Sequence, residues 1–248
     1  MALQDRSGLG PRPTDAPSLP ERELGDDALI AAVRSGGCPL CVVIERSGRR
    51  YLEALLWENV NDGPFRERLL AGGGFCAPHE RALVRVERDQ AGGSLGVAIL
   101  GRSVLAARVA GLRGALRQRR GRPSALRHAM EAAVDCPICA LEAGACDRAA
   151  VRFVALAEPA GPWREALAAA PFCLAHLGTL LATAATERTG EAAQALTAGQ
   201  LARLDELVER LDGFVLHSSF DRRHELAEDE RRAVAEAVAV LAGTAPRP

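Results

Sequence analysis

The chain has 248 residues, a formal net charge of −1 and 48% hydrophobic residues, enough for one large domain or two smaller ones. A near-neutral balance gives no overall affinity for polyanions. Aromatic residues make up only 4%, too few for a platform on which single-stranded nucleic acid stacks. We therefore do not expect nucleic acid as a partner.

The first twenty-five residues are rich in proline and charge and contain no apolar signal-peptide core. We expect residues 1–25 to be disordered. The most apolar segment, residues 95–116, is interrupted by Arg102, Arg108 and Arg113, which disfavour a membrane span. The expectation is a cytoplasmic protein without a membrane partner, in which closely spaced cysteines are more typical of metal ligands than of disulfides.

Helix signals begin near the N-terminus. Asp26 and Asp27 precede a short helix that Gly36 and Gly37 end. The next helix is expected to run through Val60, with Gly48 as a possible break. A short helix follows Gly63-Pro64, and another begins at Cys76.

The second half of the chain continues this pattern. Helical spacing of apolar residues spans 95–116 and recurs from Leu201 to Leu211. Pro137 favours a helix start after Asp135, and a final helix is predicted over 227–241. Because we find no alternating strand pattern, we predict an all-α helical bundle.

One cysteine–histidine pattern occurs twice. Each copy contains Cys-Pro-x-Cys, thirty-three or thirty-two intervening residues, and then Phe-Cys-x-x-His. The residues of the two copies are Cys38, Cys41, Cys76 and His79, then Cys136, Cys139, Cys173 and His176.

The repeat extends beyond these residues, because Gly63–Glu67 matches Gly161–Glu165. The offset is 98 at the first two elements and 97 at the third, which indicates an internal duplication. We therefore predict two pseudo-repeats. The predicted segments are a disordered 1–25, a first metal-binding repeat 26–113, a linker and helix 114–134, a second metal-binding repeat 135–190, and C-terminal helices 191–248.

Three sulfurs and one imidazole form the ligand set of a closed tetrahedral zinc site. The spacing i, i+3 places two ligands on one side of a helical turn, and a helix N-terminus lowers a thiol pKa. We predict that each copy holds one structural zinc ion: Cys38, Cys41, Cys76 and His79 bind the first, and Cys136, Cys139, Cys173 and His176 the second. The alternatives are an iron–sulfur cluster and buried apolar cysteines without metal.

Residues outside this pattern give weaker signals. Cys146 is expected in the core rather than as a further ligand. The polar segment that contains His217, Asp221 and His224 is expected to be an interhelical connection, with a binding or catalytic site as the alternative.

A site with four protein ligands has no open position for catalysis. The leading hypothesis is therefore a non-enzymatic zinc-binding protein, an interaction or regulatory module with an unknown protein partner and an undetermined oligomeric state. The alternatives are a thiol-based redox or metal sensor and an enzyme with a site between the repeats and the C-terminal segment.

Over residues 27–243 the chain resembles the DUF6062 family of uncharacterised bacterial proteins. The resemblance rests on the duplicated motifs, Leu55–Asp62, Leu211–Phe214, the segment Phe220–Arg223, and a charged helix that ends at Leu241-Ala242-Gly243. It implies little chemistry, because the family has no assigned activity. Phe220-Asp221-Arg222 stands where the family pattern leads us to expect an Asp-Tyr-Arg motif.

Overall fold

The computed structural model describes residues 27–118, 122–130, 134–219 and 225–243, and within them every regular element is a helix. This confirms the all-α class. The helices are α1 (Asp27–Val33), α2 (Pro39–Ala54), α3 (Gly63–Ala71), α4 (Ala77–Ala91), α5 (Leu95–Gln118), α6 (Pro123–Met130), α7 (Pro137–Leu156), α8 (Arg164–Ala168), α9 (Leu174–Glu187), α10 (Gly190–His217) and α11 (Glu228–Ala242).

Local sequence sets several helix ends. The Asp62 carboxylate accepts a 2.6 Å hydrogen bond from the Phe65 backbone N–H and caps α3. Gly92 ends α4 in the left-handed region, with φ of 61°. The buried Glu87 carboxylate accepts from the N–H groups of Gly96 and Val97 at 2.6 and 2.9 Å, which satisfies the first turn of α5.

The chain divides into two compact units. Of the described residues, those within 27–42 and 149–243 form unit 1, and those within 43–148 form unit 2. The core of unit 2 contains residues from Leu52 to Leu100 together with Cys136 and Ile138. In unit 1 the rings of Phe153 and Phe172 meet edge to face, with their centroids 6.1 Å apart.

The helix predicted to run through Val60 is present as α2 and has no break at Gly48. The helix passes through this residue and then continues as a π-helical turn, Leu55–Asn59. Trp57 lies in that turn and is 87% exposed. Leu55 is buried, so a residue two positions later points away from the core.

Helix α5 is present where the apolar spacing over residues 95–116 predicts a helix. The apolar residues along it do not form one inward stripe, because Leu95, Leu105, Val109 and Leu116 are exposed, whereas Leu100 is buried. The helix continues past Gly114, where a linker was expected, since no proline occurs before Pro123. By length and composition alone the segment Leu95–Arg117 is long and apolar enough to cross a membrane.

Candidate metal centre

The eight motif side chains lie in two groups of four, but the partition differs from the predicted one. We call Cys38, Cys41, Cys173 and His176 site I, and Cys76, His79, Cys136 and Cys139 site II. In each group all four candidate ligand atoms lie within 4.8 Å of one another. The prediction of two Cys₃His groups is therefore confirmed, whereas the assignment of one group to each sequence copy is wrong.

The crossed partition follows from helix length. In the first copy the Cys-Pro-x-Cys pair opens α2, a helix of 16 residues. Such a helix spans about 24 Å, so it carries the chain away from Cys38 and Cys41 before Cys76 is reached. Since the two copies have the same motif, ligands from the other copy can complete each group.

Site I lies in unit 1, at the N-termini of α2 and α9. Cys38 precedes Pro39, the first residue of α2, and Cys173 is the N-cap of α9 with extended backbone, φ −72° and ψ 157°. His176 Nδ1 lies 3.4 Å from Cys38 Sγ, 3.2 Å from Cys41 Sγ and 3.2 Å from Cys173 Sγ. The Sγ atoms of Cys41 and Cys173 are 3.9 Å apart.

Site II repeats this arrangement in unit 2, at the N-termini of α4 and α7. Cys76 is the N-cap of α4, with φ −71° and ψ 160°. His79 Nδ1 lies 3.1 Å from Cys76 Sγ and 3.4 Å from the Sγ atoms of Cys136 and Cys139. The sulfurs of Cys76 and Cys139 are 3.6 Å apart.

These distances suit a single tetrahedral ion. Zinc–sulfur bonds of about 2.3 Å and zinc–nitrogen bonds of about 2.0 Å, set at tetrahedral angles, place sulfurs about 3.8 Å apart and sulfur about 3.5 Å from nitrogen. The sulfur–sulfur contacts of 3.6 and 3.9 Å bracket the first value. The sulfur–nitrogen contacts of 3.1–3.4 Å fall slightly below the second, so small shifts would admit the ion.

The aromatic residue before the third cysteine of each copy packs beneath the site, as its position suggests. Phe75 belongs to the same core cluster as Cys136 of site II. Phe172, which precedes Cys173 of site I, is 1% exposed. Burial of such a ring stabilises the fold by about 2 kcal/mol.

The pKa values of the site II thiols show why a cation belongs there. Burial and contacts with the other two thiols raise the pKa of Cys139 to about 12. Burial opposes ionisation of Cys136 as well, but backbone N–H groups of Cys76, Cys139 and Ile138 lower its pKa to about 7. The Cys136 thiolate is thus favoured, while Cys139 stays protonated until a positive charge relieves the repulsion.

In site I the contact with Cys41, followed by burial, raises the pKa of Cys38 far above its ordinary range. Burial likewise raises the pKa of Cys173, although the His176 backbone N–H opposes this effect. Loading an ion at site I therefore requires thiol protons to be displaced.

A carboxylate orients the histidine of site II. Glu142 Oε2 lies 3.0 Å from His79 Nε2, on the far side of the ring from the sulfurs. A hydrogen on Nε2 satisfies this contact and leaves the Nδ1 lone pair for a metal, the arrangement usual for metal-binding histidines. Gly48 makes room for the carboxylate, because a Cβ atom there would overlap Glu142 Oε1.

The two sites differ in this feature. At the repeat offset of 98, Glu142 corresponds to Ile44, whose side chain cannot accept a hydrogen bond. The recorded hydrogen-bond contacts of His176 within the described residues all use Nδ1. Sequence reasoning missed Glu142 and Gly48, although a glutamate one helical turn after Cys139 was a visible signal.

The other candidate residues lie outside the two groups. Cys146 is partly buried on α7 and contributes to neither. His217 Nδ1 lies 3.0 Å from Glu230, which links α10 to α11. Asp221 and His224 lie outside the described residues, so the possible catalytic use of this segment is untested. A cavity of about 390 Å³ in unit 1 is lined by Cys38, Arg203, Arg232 and Glu236, among others, but not by His217.

Comparison with known proteins identifies the family but no activity. The sequence model of a family of unknown function, DUF6062, matches residues 27–247, and the chain belongs to this family. The resemblance inferred from the motifs is thereby confirmed. No curated protein and no solved structure matches the chain.

The crossed partition predicts how pairs of substitutions combine. Cys38→Ser with Cys173→Ser removes two ligands from site I, so the protein should retain about one ion per chain. Cys38→Ser with Cys76→Ser damages both sites, and the content should fall towards zero. The measurement is metal content per chain after gel filtration.

Cys146→Ser is the matched control and should keep both ions. If the Cys38→Ser, Cys76→Ser variant loses one ion and the Cys38→Ser, Cys173→Ser variant loses two, the ligands pair within each copy and the crossed partition is wrong.

Glu142→Gln should weaken metal binding at site II alone, by roughly 10-fold or more, because loss of a carboxylate behind a ligating histidine typically costs this much. Gly48→Ala should act in the same direction by displacing the carboxylate. The measurement is competition for metal with a coloured chelator, which resolves the two sites by affinity. Glu67→Gln, an exposed carboxylate in the same unit, is the control, and an equal loss in that variant would contradict the orienting role.

Proposed function

We propose that this protein is a non-enzymatic zinc-binding protein of the cytoplasm, in which two structural Cys₃His sites shape an interaction or regulatory module. The proposal rests on one observation. In the described part of the chain, the eight motif ligands form two groups of four, and no other cysteine belongs to either group. Three thiolates and one imidazole at these distances favour zinc among the common divalent ions.

An iron–sulfur cluster fits the geometry less well. The ligands of such a cluster bind different iron atoms and must stand around a polynuclear core. Here all four ligand atoms of each group lie within 4.8 Å of one another, which suits one ion. Four protein ligands also complete a tetrahedral shell, so substrate or water has no position on the metal.

The sites are proposed to be structural because each joins helix ends that are distant in sequence. In site I, Cys41 and Cys173 are 132 residues apart, and in site II, Cys76 and Cys139 are 63 residues apart. An ion that binds the folded chain and not the unfolded one stabilises the fold by its binding free energy, on the order of 10 kcal/mol for structural zinc.

Elemental analysis tests the proposal. Protein purified without added metal should contain about two zinc ions per chain and show no visible absorption band of iron–sulfur clusters. Removal by a strong chelator should lower the unfolding temperature by about 10 °C or more, since each kcal/mol shifts a protein of this size by about 2–4 °C. Iron with a visible band, or a metal-free protein of unchanged stability, would refute the zinc assignment.

A redox sensor is the second candidate function, and the exposure of site II favours it. Cys139 is the one exposed residue among the eight, and its sulfur lies 3.6 Å from that of Cys76. A hydroperoxide would accept two electrons from these two thiolates and two protons from solvent, and would be reduced to one alcohol and one water, or to two waters in the case of hydrogen peroxide. A sulfur–sulfur bond would form, two metal–sulfur bonds would break, and the ion would leave.

Peroxide titration distinguishes the sensor from the purely structural protein. The sensor should release one ion per chain at low peroxide, with a Cys76–Cys139 disulfide detected by peptide mass spectrometry, while site I keeps its ion. The Cys146→Ser variant should respond identically. Retention of both ions until the protein precipitates would leave only the structural role.

A further inference from the structure

Positive charge is concentrated in one segment of an otherwise acidic chain. Residues 90–130 contain eight arginines and no aspartate or glutamate. The remaining residues carry all 32 acidic side chains but only 23 of the 31 basic ones. A net charge of −1 for the whole chain therefore conceals a basic segment, which covers α5 and α6.

The same segment exposes large apolar side chains. Leu95 is 74% exposed, Leu105 66% and Leu116 56% on α5, and Met130 on α6 is 69% exposed. The exposed apolar residues of α5, together with Val109, recur at intervals of ten, four and seven residues, which places them along one side of the helix. The opposite side of α5 is covered by unit 2, where Gly96 and Leu100 are buried.

Arginines border this apolar face. Arg102, Arg113 and Arg117 on α5 and Arg127 on α6 are exposed. Arg108 is partly buried and donates a 2.8 Å hydrogen bond to the Gly73 carbonyl oxygen, so it holds the helix to its own unit. The free surface of α5 thus combines leucine and valine with guanidinium groups and contains no acidic side chain.

The side chains of this face distinguish three classes of partner, namely a second copy of the chain, nucleic acid and an anionic bilayer. A second copy that presents the same face would bring Arg102, Arg113 and Arg117 towards their own equivalents, with no acid to offset the repulsion. Nucleic acid would neutralise the arginines, but residues 90–130 contain no aromatic side chain for stacking and would leave the leucines exposed. An anionic bilayer satisfies both components, because acyl chains accept the apolar residues while arginines reach the headgroups.

We propose that the basic apolar face of α5 and α6 docks on an anionic lipid surface, with α5 lying in the interface plane. The arginines that disfavour a membrane span are suited to this position, because snorkelling guanidinium groups stay at headgroup level. The face lies away from the ligands of sites I and II in sequence, so this inference does not depend on the identity of the bound ion.

Vesicle sedimentation with the metal-loaded full chain tests the proposal. The protein should sediment with phosphatidylcholine vesicles that contain about 30% phosphatidylserine, and much less with pure phosphatidylcholine vesicles. Binding should weaken as salt rises from 50 to 500 mM, because the Debye length shortens about threefold. The triple change Arg102→Gln, Arg113→Gln and Arg117→Gln should reduce partitioning about 100-fold, at about fivefold per arginine.

Two matched variants control this experiment. Arg46→Gln, Arg50→Gln and Arg81→Gln remove three exposed arginines of unit 2 outside the segment and should leave binding nearly unchanged. Leu105→Ser with Leu116→Ser keeps every charge and should still weaken binding at least 10-fold. All variants should retain two metal ions per chain and wild-type helicity, which separates loss of binding from loss of fold.

Several results would overturn the proposal. Equal binding to neutral and anionic vesicles would show that the arginines do not contribute to binding. Equal loss of binding in the two triple arginine variants would show that only the net charge of the protein matters, and not the position of the arginines on α5. Absence of vesicle binding at 50 mM salt, with tight binding of a 20-base-pair duplex, would assign the face to nucleic acid. A stable dimer that dissociates in the Leu105→Ser, Leu116→Ser variant, without vesicle binding, would assign it to a second copy.

Discussion

The convergence of helix N-termini on a shared group of thiols is the constraint on which each unit depends. A helix N-terminus presents unpaired N–H groups and the positive end of a dipole, so two of them facing one point need negative charge between them. In site I, Cys38 precedes α2, Cys41 lies in its first turn and Cys173 caps α9. In site II, Cys136 precedes α7, Cys139 lies in its first turn and Cys76 caps α4. Thiolates provide that charge, and a divalent cation allows three of them to coexist.

Much of this structure is encoded in short-range sequence. Gly63-Pro64 and Pro137 mark helix starts that the structure reproduces. The ligand set was equally visible, because the duplication identifies the chemically active cysteines and excludes Cys146. Local pattern suffices for features that depend on a few neighbouring residues.

Short-range sequence does not predict which ligands belong to site I and which to site II. Two identical motifs can pair within a copy or between copies with the same local geometry, and only the length and direction of α2 and α7 decide between them. The exposure of α5 was missed for a related reason. Helical spacing of leucines predicts an apolar face, but it does not say whether other helices cover that face.

The two sites are similar in ligands but not in surroundings. Glu142 supports His79, while the corresponding residue in the other copy is Ile44. Site II also includes the exposed Cys139, whereas two of the three cysteines of site I are buried. The two quartets of this duplicated chain therefore differ in the residue behind the histidine and in the exposure of their thiols.

The two sites are nested in sequence, because all four ligands of site II lie between the first and second ligand pairs of site I. Cys38 and Cys41 emerge first from the ribosome, yet their partners are the last ligands to be synthesised. The inner quartet is complete once Cys139 has emerged, and the outer one waits for His176. At about 5–20 residues per second, synthesis of the 135 residues from Cys41 to His176 takes about 7 to 27 seconds, during which the inner quartet can already assemble. Any ion taken up during synthesis therefore meets a complete site II before a complete site I.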